Sequence, residues 1–578
     1  MTRRRGEPSC PCASATSALR TNEVGMAVAS ANVANAGTEG YTRKTAKATA
    51  SDTAVGFTGV EVAGIGSTVD RYLMTSLVSA QSGLGLSRTV SDYLDRFQER
   101  LGATTSASSL GSVIDTLGET LATLATSPES GSAKAAAVDD LTAVAETLRS
   151  TAKAVQDLRG EADHAVADTV TRINGTLDTL KDLNDRIQTG KALGQNTGDL
   201  EDQRNTALKS LAGDIDIRYQ TDANGMVRVS TSSGTSLLDS AVHRLSYTPA
   251  TTVGAGTSFG PITIDGKDVT ASVSSGTLGG LIQVRDTDLP AQQARLDELA
   301  LTLKDTLNVL HNQGTAVPPP NALTGTATVA GTDALNGGGT LRVAVTAADG
   351  TAVEVLDLDL SAYATVQDAV DAIDAMDSLS AHLDAQGRLV IQADNAANGV
   401  ALGGDGTAGA DGKGFSARFG LNDLLTGSGA ADLKVSDAIA QDSGRLATGA
   451  LSTSATLAIG GSALSAGEGS VAQALKTAFS GAQSFDTAGG LSGRTGTFSQ
   501  YAGAIIQGAA TAASRAATAY EDQDSYASGL ESTMASQSGV NVNEETAAIS
   551  NLQSAYQAAA AVMKAVQEMF DTALNLVR

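Results

Sequence analysis

Tryptophan is missing from this chain and aromatic residues make up only 3% of it, so no core can be built around large rings. The interior has to be Ala, Leu, Val and Ile, as in closely packed long helices and plain sheets. Cysteine is confined to Cys10 and Cys12; two neighbours cannot staple a fold, and they fall short of the four ligands of a structural zinc site. Uniformly apolar runs of about 18 residues are lacking, so no transmembrane helix is expected. The Arg3, Arg4, Arg5 opening is followed by no apolar segment, so a secretory signal peptide is not expected. Basic charge is in deficit, with 39 Lys and Arg against 63 Asp and Glu and a net charge of −24. That argues against a general nucleic-acid or anionic-membrane surface. Proline numbers 9 against 62 glycines, yet hydrophobic residues reach 42%, which excludes a disordered chain.

Catalytic chemistry is missing as well. His164, His243, His311 and His382 lie far apart, outside any metal-ligand spacing. His164 reads as a helix-face residue, and His311 as a C-terminal helix cap before Gln313-Gly314. Asp199, Glu201 and Asp202 suit the positive end of a helix better than an acid–base site. Gly403-Gly404-Asp405-Gly406 has no Lys-Ser/Thr and is not a phosphate loop. Motifs of the H-E-x-x-H and C-x-x-C types are absent, and Asn174-Gly175-Thr176, a glycosylation pattern, falls in a helical stretch. No enzyme activity, metal or cofactor is expected.

What is present is periodicity. Ile549, Leu552, Tyr556, Ala559, Met563, Val566, Phe570, Ala573 and Val577 recur at three- and four-residue spacing, an a/d seam that demands another helix. Ala15, Leu19, Asn22, Met26, Ala29, Val33 and Ala36 keep the same alternation. Both stripes are thin in large side chains, so neither helix is stable alone and the two ends are expected to pair.

At 578 residues about three or four domains are expected. The fold class is mixed α and β, multidomain: long paired terminal helices and a helical shaft with β-rich outer modules. Residues 1–13 read as an atypical tail or a misassigned start. Residues 14–71 hold the first helix, stopped at Gly37 to Gly40, and an extended segment. Residues 72–213 are helical, with a break at Pro128, a helix from Ser132 that either crosses Gly160 or restarts there, and a loop over Gly190–Gly198. Residues 214–317 alternate as strands, with Asn224-Gly225 as a hairpin turn, before a helix over Leu289–Leu310. Residues 318–414 form a variable β-rich outer domain with one helix near Thr365–Met376. Residues 415–500 return to the shaft through Gly-rich strands over Leu451–Gly469. Residues 501–578 are helical, with interruptions near Gly529 and Gly539.

Ser30-Ala31-Asn32-Val33-Ala34-Asn35-Ala36-Gly37-Thr38-Glu39-Gly40-Tyr41-Thr42-Arg43 resembles the signature near the start of bacterial flagellar axial proteins. Ser538-Gly539-Val540-Asn541-Val542-Asn543-Glu544-Glu545, followed by Leu552-Gln553-Ser554-Ala555-Tyr556-Gln557-Ala558, is similar to their carboxy-terminal helix entry. Three internal stretches narrow the resemblance to the hook-associated protein 1 (hook–filament junction) family of the rod/hook axial proteins. They are Asp199-Leu200-Glu201-Asp202-Gln203-Arg204, Gly279-Gly280-Leu281-Ile282-Gln283-Val284-Arg285-Asp286 continuing to Asn308, His311 and Gly314, and Phe419-Gly420-Leu421-Asn422-Asp423.

The resemblance implies a non-enzymatic subunit of the flagellum, exported by the type III system without signal cleavage and self-assembled into a ring outside the cell. Implied partners are the hook protein, the second hook–filament junction protein and an export chaperone on the C-terminal helix; nucleic acid and membrane insertion are not implied. In this reading Leu552, Tyr556, Met563, Val566, Phe570 and Val577 bury against Leu19, Met26 and Val33 as an inner layer lining the export tube. Tyr41 pins the turn leaving the first helix. Another axial protein (hook or distal rod), and a secreted enzyme or adhesin carried on axial termini, stay open as alternatives.

Overall fold

The computed structural model describes residues 11–38, 40–52, 58–67, 69–102, 109–222 and 224–576. Its axis is α4, Gly131–Ala192, preceded by α1 (Pro11–Ala34), β1 (Lys44–Asp52), β2 (Thr58–Ser67), α2 (Arg71–Leu101) and α3 (Leu110–Thr126). Ser130 starts α4 by accepting the Ala133 N–H at 3.3 Å. Leu141, Val144, Leu148, Val155, Leu158, Val166, Ile173, Leu177 and Ile187 then keep one face buried for 62 residues, about 93 Å. The helix runs through Gly160. One mid-helix glycine costs about 1 kcal/mol, less than the burial of Leu158 and Ala162 on either side of it returns.

Around α4 the chain adds α5 (Gly198–Asp214), the hairpin sheet β3 (Ile217–Thr221), β4 (Val227–Thr231) and β5 (Ser236–Leu238), and the smaller sheet β6 (Leu245–Ser246), β7 (Thr263–Ile264) and β8 (Lys267–Asp268). Then follow α6 (Gly276–Gln283), a π-helical turn at Val284–Asp288, and α7 (Leu289–His311). Helix asparagines hold the sheets in register. Asn174 donates to the Leu245 carbonyl and accepts the Leu245 N–H, both at 2.9 Å, and Asn184 does the same to Val227 at 2.8 and 3.0 Å. An asparagine amide presents one donor and one acceptor side by side, so it pairs with a strand as another peptide group would. Both polar atoms of Asn174 are committed inside the fold.

Beyond α7, β9 (Ala322–Thr324), β10 (Thr340–Ala347), β11 (Ala352–Asp359), α8 (Val366–Asp374), β12 (Leu379–Leu383), β13 (Leu389–Ala393) and β14 (Asn398–Gly404) form two antiparallel sheets, ordered β11-β10-β14 and β12-β13-β9. A capping box of Thr365 and Asp368 starts α8. The second core takes in Val343, Ile373, Leu389, Ile391 and Val400, and also Phe415, Phe419 and Leu421 from α9 (Phe415–Phe419) and its exit. The chain returns through α10 (Asp437–Gln441) and α11 (Ser470–Ser480) to α12 (Phe498–Ser538) and α13 (Val542–Leu576). Much of the scarce aromatic content gathers where α12 begins: Phe485 stacks on Tyr501 at 4.1 Å and meets Phe498 edge-on at 5.8 Å.

Four expectations need correction. Residues 451–469 form turns rather than strands; Leu451 and Leu464 lie as a cover on Ala344, Ala352 and Ala401 of the outer sheet. Gly190 is inside α4, and the loop starts only at Leu193. Gly529 does not interrupt α12, which packs along α2 on both sides of it. His311 does not cap its own helix, because its ring reaches across to Asn422 and Ala447.

The π-helical turn seats a buried charge cluster. Arg285 and Asp163, each 1% exposed at the side chain, pair at 2.8 Å. Asp163 also accepts the Ala250 N–H at 2.7 Å and the Tyr247 hydroxyl, and Phe259 lies under the Arg285 guanidinium at 4.3 Å. Burial, and then the hydrogen bond to Asp163, push the Tyr247 phenol well above its usual range. Arg285 keeps a bidentate pair with Asp286 at 2.9 and 2.8 Å, so Asp163→Ala chiefly leaves the Ala250 N–H and the Tyr247 hydroxyl without their acceptor. We expect a cost of about 1–3 kcal/mol, read as a lowered urea midpoint; an unchanged midpoint would show that the cluster is not structural.

Candidate assembly interface

The helix α1 runs antiparallel to α13, as three contacts fix. Thr16 lies against Met563, with its hydroxyl 3.8 Å from the sulfur. Leu552 lies over Gly25, where an added Cβ would sit 3.1 Å from its Cδ1. Asn32 donates to Glu545 Oε2 at 2.9 Å. The hairpin β1–β2 backs the other side of α1, where Thr21 donates to the Val60 carbonyl and the Val60 N–H donates to Ser17, each at 3.2 Å.

Of the residues expected in the seam, Val566 is buried, and Leu19, Met26, Val33, Leu552 and Met563 are half-buried. Tyr556 and Phe570 stand 38% and 55% exposed, a correction to their expected burial in this pair. By the running register Tyr556 falls opposite the polar Thr21 and Asn22, and Phe570 lies past Thr16, near the first described turn of α1. Val577 is outside the described residues.

The strongest local constraint is polar, at the base of the pair. Asn32 is fully buried and its amide is saturated. Nδ2 donates to Glu545 Oε2 and to the Lys44 carbonyl, both at 2.9 Å, while Oδ1 accepts the Lys44 N–H and the Tyr41 hydroxyl, both at 3.0 Å. Two donors and two acceptors exhaust an asparagine side chain. Arg43 Nε donates to Glu545 Oε1 at 2.6 Å, and its backbone N–H donates to the Ser538 carbonyl at 2.8 Å.

On the other side, Asp202 of α5 accepts the Thr42 N–H at 2.9 Å, the Thr42 hydroxyl at 2.6 Å and the buried ammonium of Lys44. That ammonium also lies 4.7 Å over the Tyr41 ring. Burial, followed by the carboxylates of Asp199, Asp202 and Glu545, pushes the Tyr41 phenol up to about 12. One knot thus joins α1, the strand after it, α5, the end of α12 and the start of α13. Sequence reading singled out Tyr41 alone of this group as a packing residue. It assigned Asp202 to a helix dipole, whereas the carboxylate reaches away from its helix to Thr42 and Lys44.

Among the described residues no group of three or more His, Cys, Asp or Glu is placed to hold a metal, and no helix is long and apolar enough to cross a membrane. His164 stands exposed on α4. The arrangement fixes two long helices by their bases and leaves a flank of α13 exposed.

Replacing Asn32 by Asp removes both donors and sets a second carboxylate against Glu545, within a network too buried to hydrate it. Trypsin is expected to cut at the exposed Arg20 and Lys564 roughly ten-fold faster in Asn32→Asp, with α4 still protected. Equal cleavage rates in the variant and the parent would refute the anchor.

A family model of the helical domain of the flagellar hook-associated protein FlgK matches residues 94–323, and one of the C-terminal region of flagellar basal body rod FlgEFG proteins matches residues 531–576. Flagellar hook-associated protein 1 of Salmonella typhimurium is 25% identical over 315 residues, covering 52% of this chain and 56% of that protein. The Escherichia coli K12 protein of the same name is 24% identical over 313 residues with the same shares, and that of Bacillus subtilis 25% over 233 residues, 38% of this chain and 45% of that one. The chain thus spans about half the length of the curated relatives it matches. The solved flagellar hook junction protein FlgK from Burkholderia pseudomallei is similar at a TM-score of 0.48 and 16% identity, over 79% of this chain and 99% of that one.

Proposed function

Because the chain belongs to the flagellar hook-associated protein 1 family, we propose that it is the structural subunit joining hook to filament, exported through the flagellar type III channel and built into a ring outside the cell. Its neighbours in this reading are further copies of itself, the hook protein below and the second junction protein above. An export chaperone covers α13 beforehand. The match over residues 94–323 supports a junction subunit over a hook or rod subunit, which the C-terminal match alone would suit equally.

One observation carries the assembly mechanism. Besides the seam facing α1, α13 bears a second apolar stripe at three- and four-residue spacing, Ala555, Ala558, Val562, Ala565 and Met569, with Leu576 two turns further on, all exposed. Val562, Met569 and Leu576 are 48%, 60% and 82% exposed. Successive residues advance about 100° around a helix, so this stripe lies roughly a quarter turn from the seam. A 3.5-residue repeat suits another helix, not water. The partner is the terminal pair of a neighbouring copy, and burying each Val- or Met-sized side chain there contributes about 1.5–3 kcal/mol.

The double variant Val562→Asp, Met569→Asp leaves the α1 seam untouched. It should be secreted normally yet fail to retain filaments on hooks, scored by electron microscopy and soft-agar swimming; filament retention at the parental level would sink the mechanism. Phe570→Ala is expected to do the same more weakly, with export intact. Excising the outer module should spare motility and remove its surface epitopes. The cut belongs at residues 318–421, because Phe415, Phe419 and Leu421 pack in that module's core. Loss of all filaments after that excision would assign the module a part in assembly.

A further inference from the structure

The last turn of α7 meets the segment leaving the outer module at a joint built from polar groups. Asn308 Oδ1 accepts the N–H groups of Leu424 and Leu425 at 2.9 and 2.8 Å. Asn312 Oδ1 accepts Ser416 Oγ at 2.7 Å and the Asn422 N–H at 2.9 Å, while its Nδ2 donates to Asp423 Oδ1 at 2.8 Å. Asn422 in turn donates to the carbonyls of His311 and Gly314 at 3.1 and 2.9 Å. At the centre lies His311, fully buried. Its Nδ1 is 2.6 Å from the Asn422 carbonyl oxygen, and its Nε2 is 2.9 Å from the Ala447 backbone nitrogen.

A carbonyl accepts and a backbone N–H donates, so the ring is neutral with its proton on Nδ1. An imidazolium would set N–H against N–H at Ala447, with no water to relieve it. We propose that His311 makes this joint an acid-sensitive lock: protonation parts the outer module from the end of α7 while the shaft stays folded.

Lys134 of α4 is the charged group that acts on the ring; Asp423 accepts from Asn312 in the same joint, and Glu468 accepts the Ala450 N–H at 2.6 Å on the segment that follows Ala447. Burial, and in the same direction Lys134, hold the imidazole down to about 4, against the opposing effect of its bond to Asn422. Freed, the ring titrates near 6.5. The open joint therefore binds a proton that the closed one refuses. Closure is at full strength above about pH 6.5, weakens as pH falls toward about 4, and levels off below; the opening equilibrium rises on the order of a hundred-fold over that window.

Hydrogen exchange of the full chain at pH 7 and pH 4.5, corrected for intrinsic rates, reads this directly. Peptides spanning 308–315, 416–425 and 446–450 should lose protection tens-fold at the lower pH, while 141–158 and 389–402 do not. His311→Gln should lower protection at both pH values and abolish the difference between them. Asp423→Asn, which removes the carboxylate that accepts from Asn312, should retain that difference. No pH effect in the parent chain would overturn the proposal, as would a pH effect that survives in His311→Gln and vanishes in Asp423→Asn. Should His311→Gln fail to fold, the parent chain and Asp423→Asn still decide between the two groups.

Discussion

The terminal helix pair depends on a buried set of hydrogen bonds and ion pairs at its base, more than on apolar area along its length. The seam between α1 and α13 is rich in alanine, and Val566 is the large apolar residue of α13 that it fully buries. Asn32, Lys44, Asp202 and Glu545 are each almost completely buried and each partnered. Apolar contact of this kind slides easily, whereas a saturated asparagine tolerates one register. The knot therefore sets where the two helices begin and how they are aligned, and it ties both to α5 and so to the body.

That division of labour suits a subunit finished by its neighbours. A pair held along its whole length by large side chains would have little apolar surface left for another copy. Here the base is locked and the flank of α13 is open, so surface that a solitary chain leaves in water is free for lateral packing. The same economy recurs through the molecule. Asn174, Asn184 and Asn308 each clamp a strand or loop to a helix by pairing with backbone groups, a device open to a chain with few large rings to fill its contacts. The cost is that such clamps must be fully satisfied, and the joint around His311 is one in which a single proton changes the balance.

Much was readable from the residues alone. The three- and four-residue spacing of Val170 through Ile187, the alternation around Val343 and Leu389, and the stripes at both ends gave the fold class and most elements. Each is a local pattern, written within one turn or one strand. Glycine misled twice: Gly190 and Gly529 lie within helices, because packing on either side outweighs the small local cost of a missing side chain. The Gly-rich stretch 451–469 failed for a related reason, since a strand needs a partner edge and that stretch became a cover instead.

Local pattern therefore settled which segments are helices and strands, where the chain turns, and that two long stripes must be covered. It was silent on who meets whom. Asp202 near the start of α5, Asn32 at the end of α1 and Glu545 at the start of α13 are ordinary polar residues until long-range folding brings them within 3 Å of shared partners. The same holds for Asp163 and Arg285, and for His311 and Asn422. A charge or an amide becomes structural through the groups that replace water around it, and those groups come from parts of the chain hundreds of residues apart.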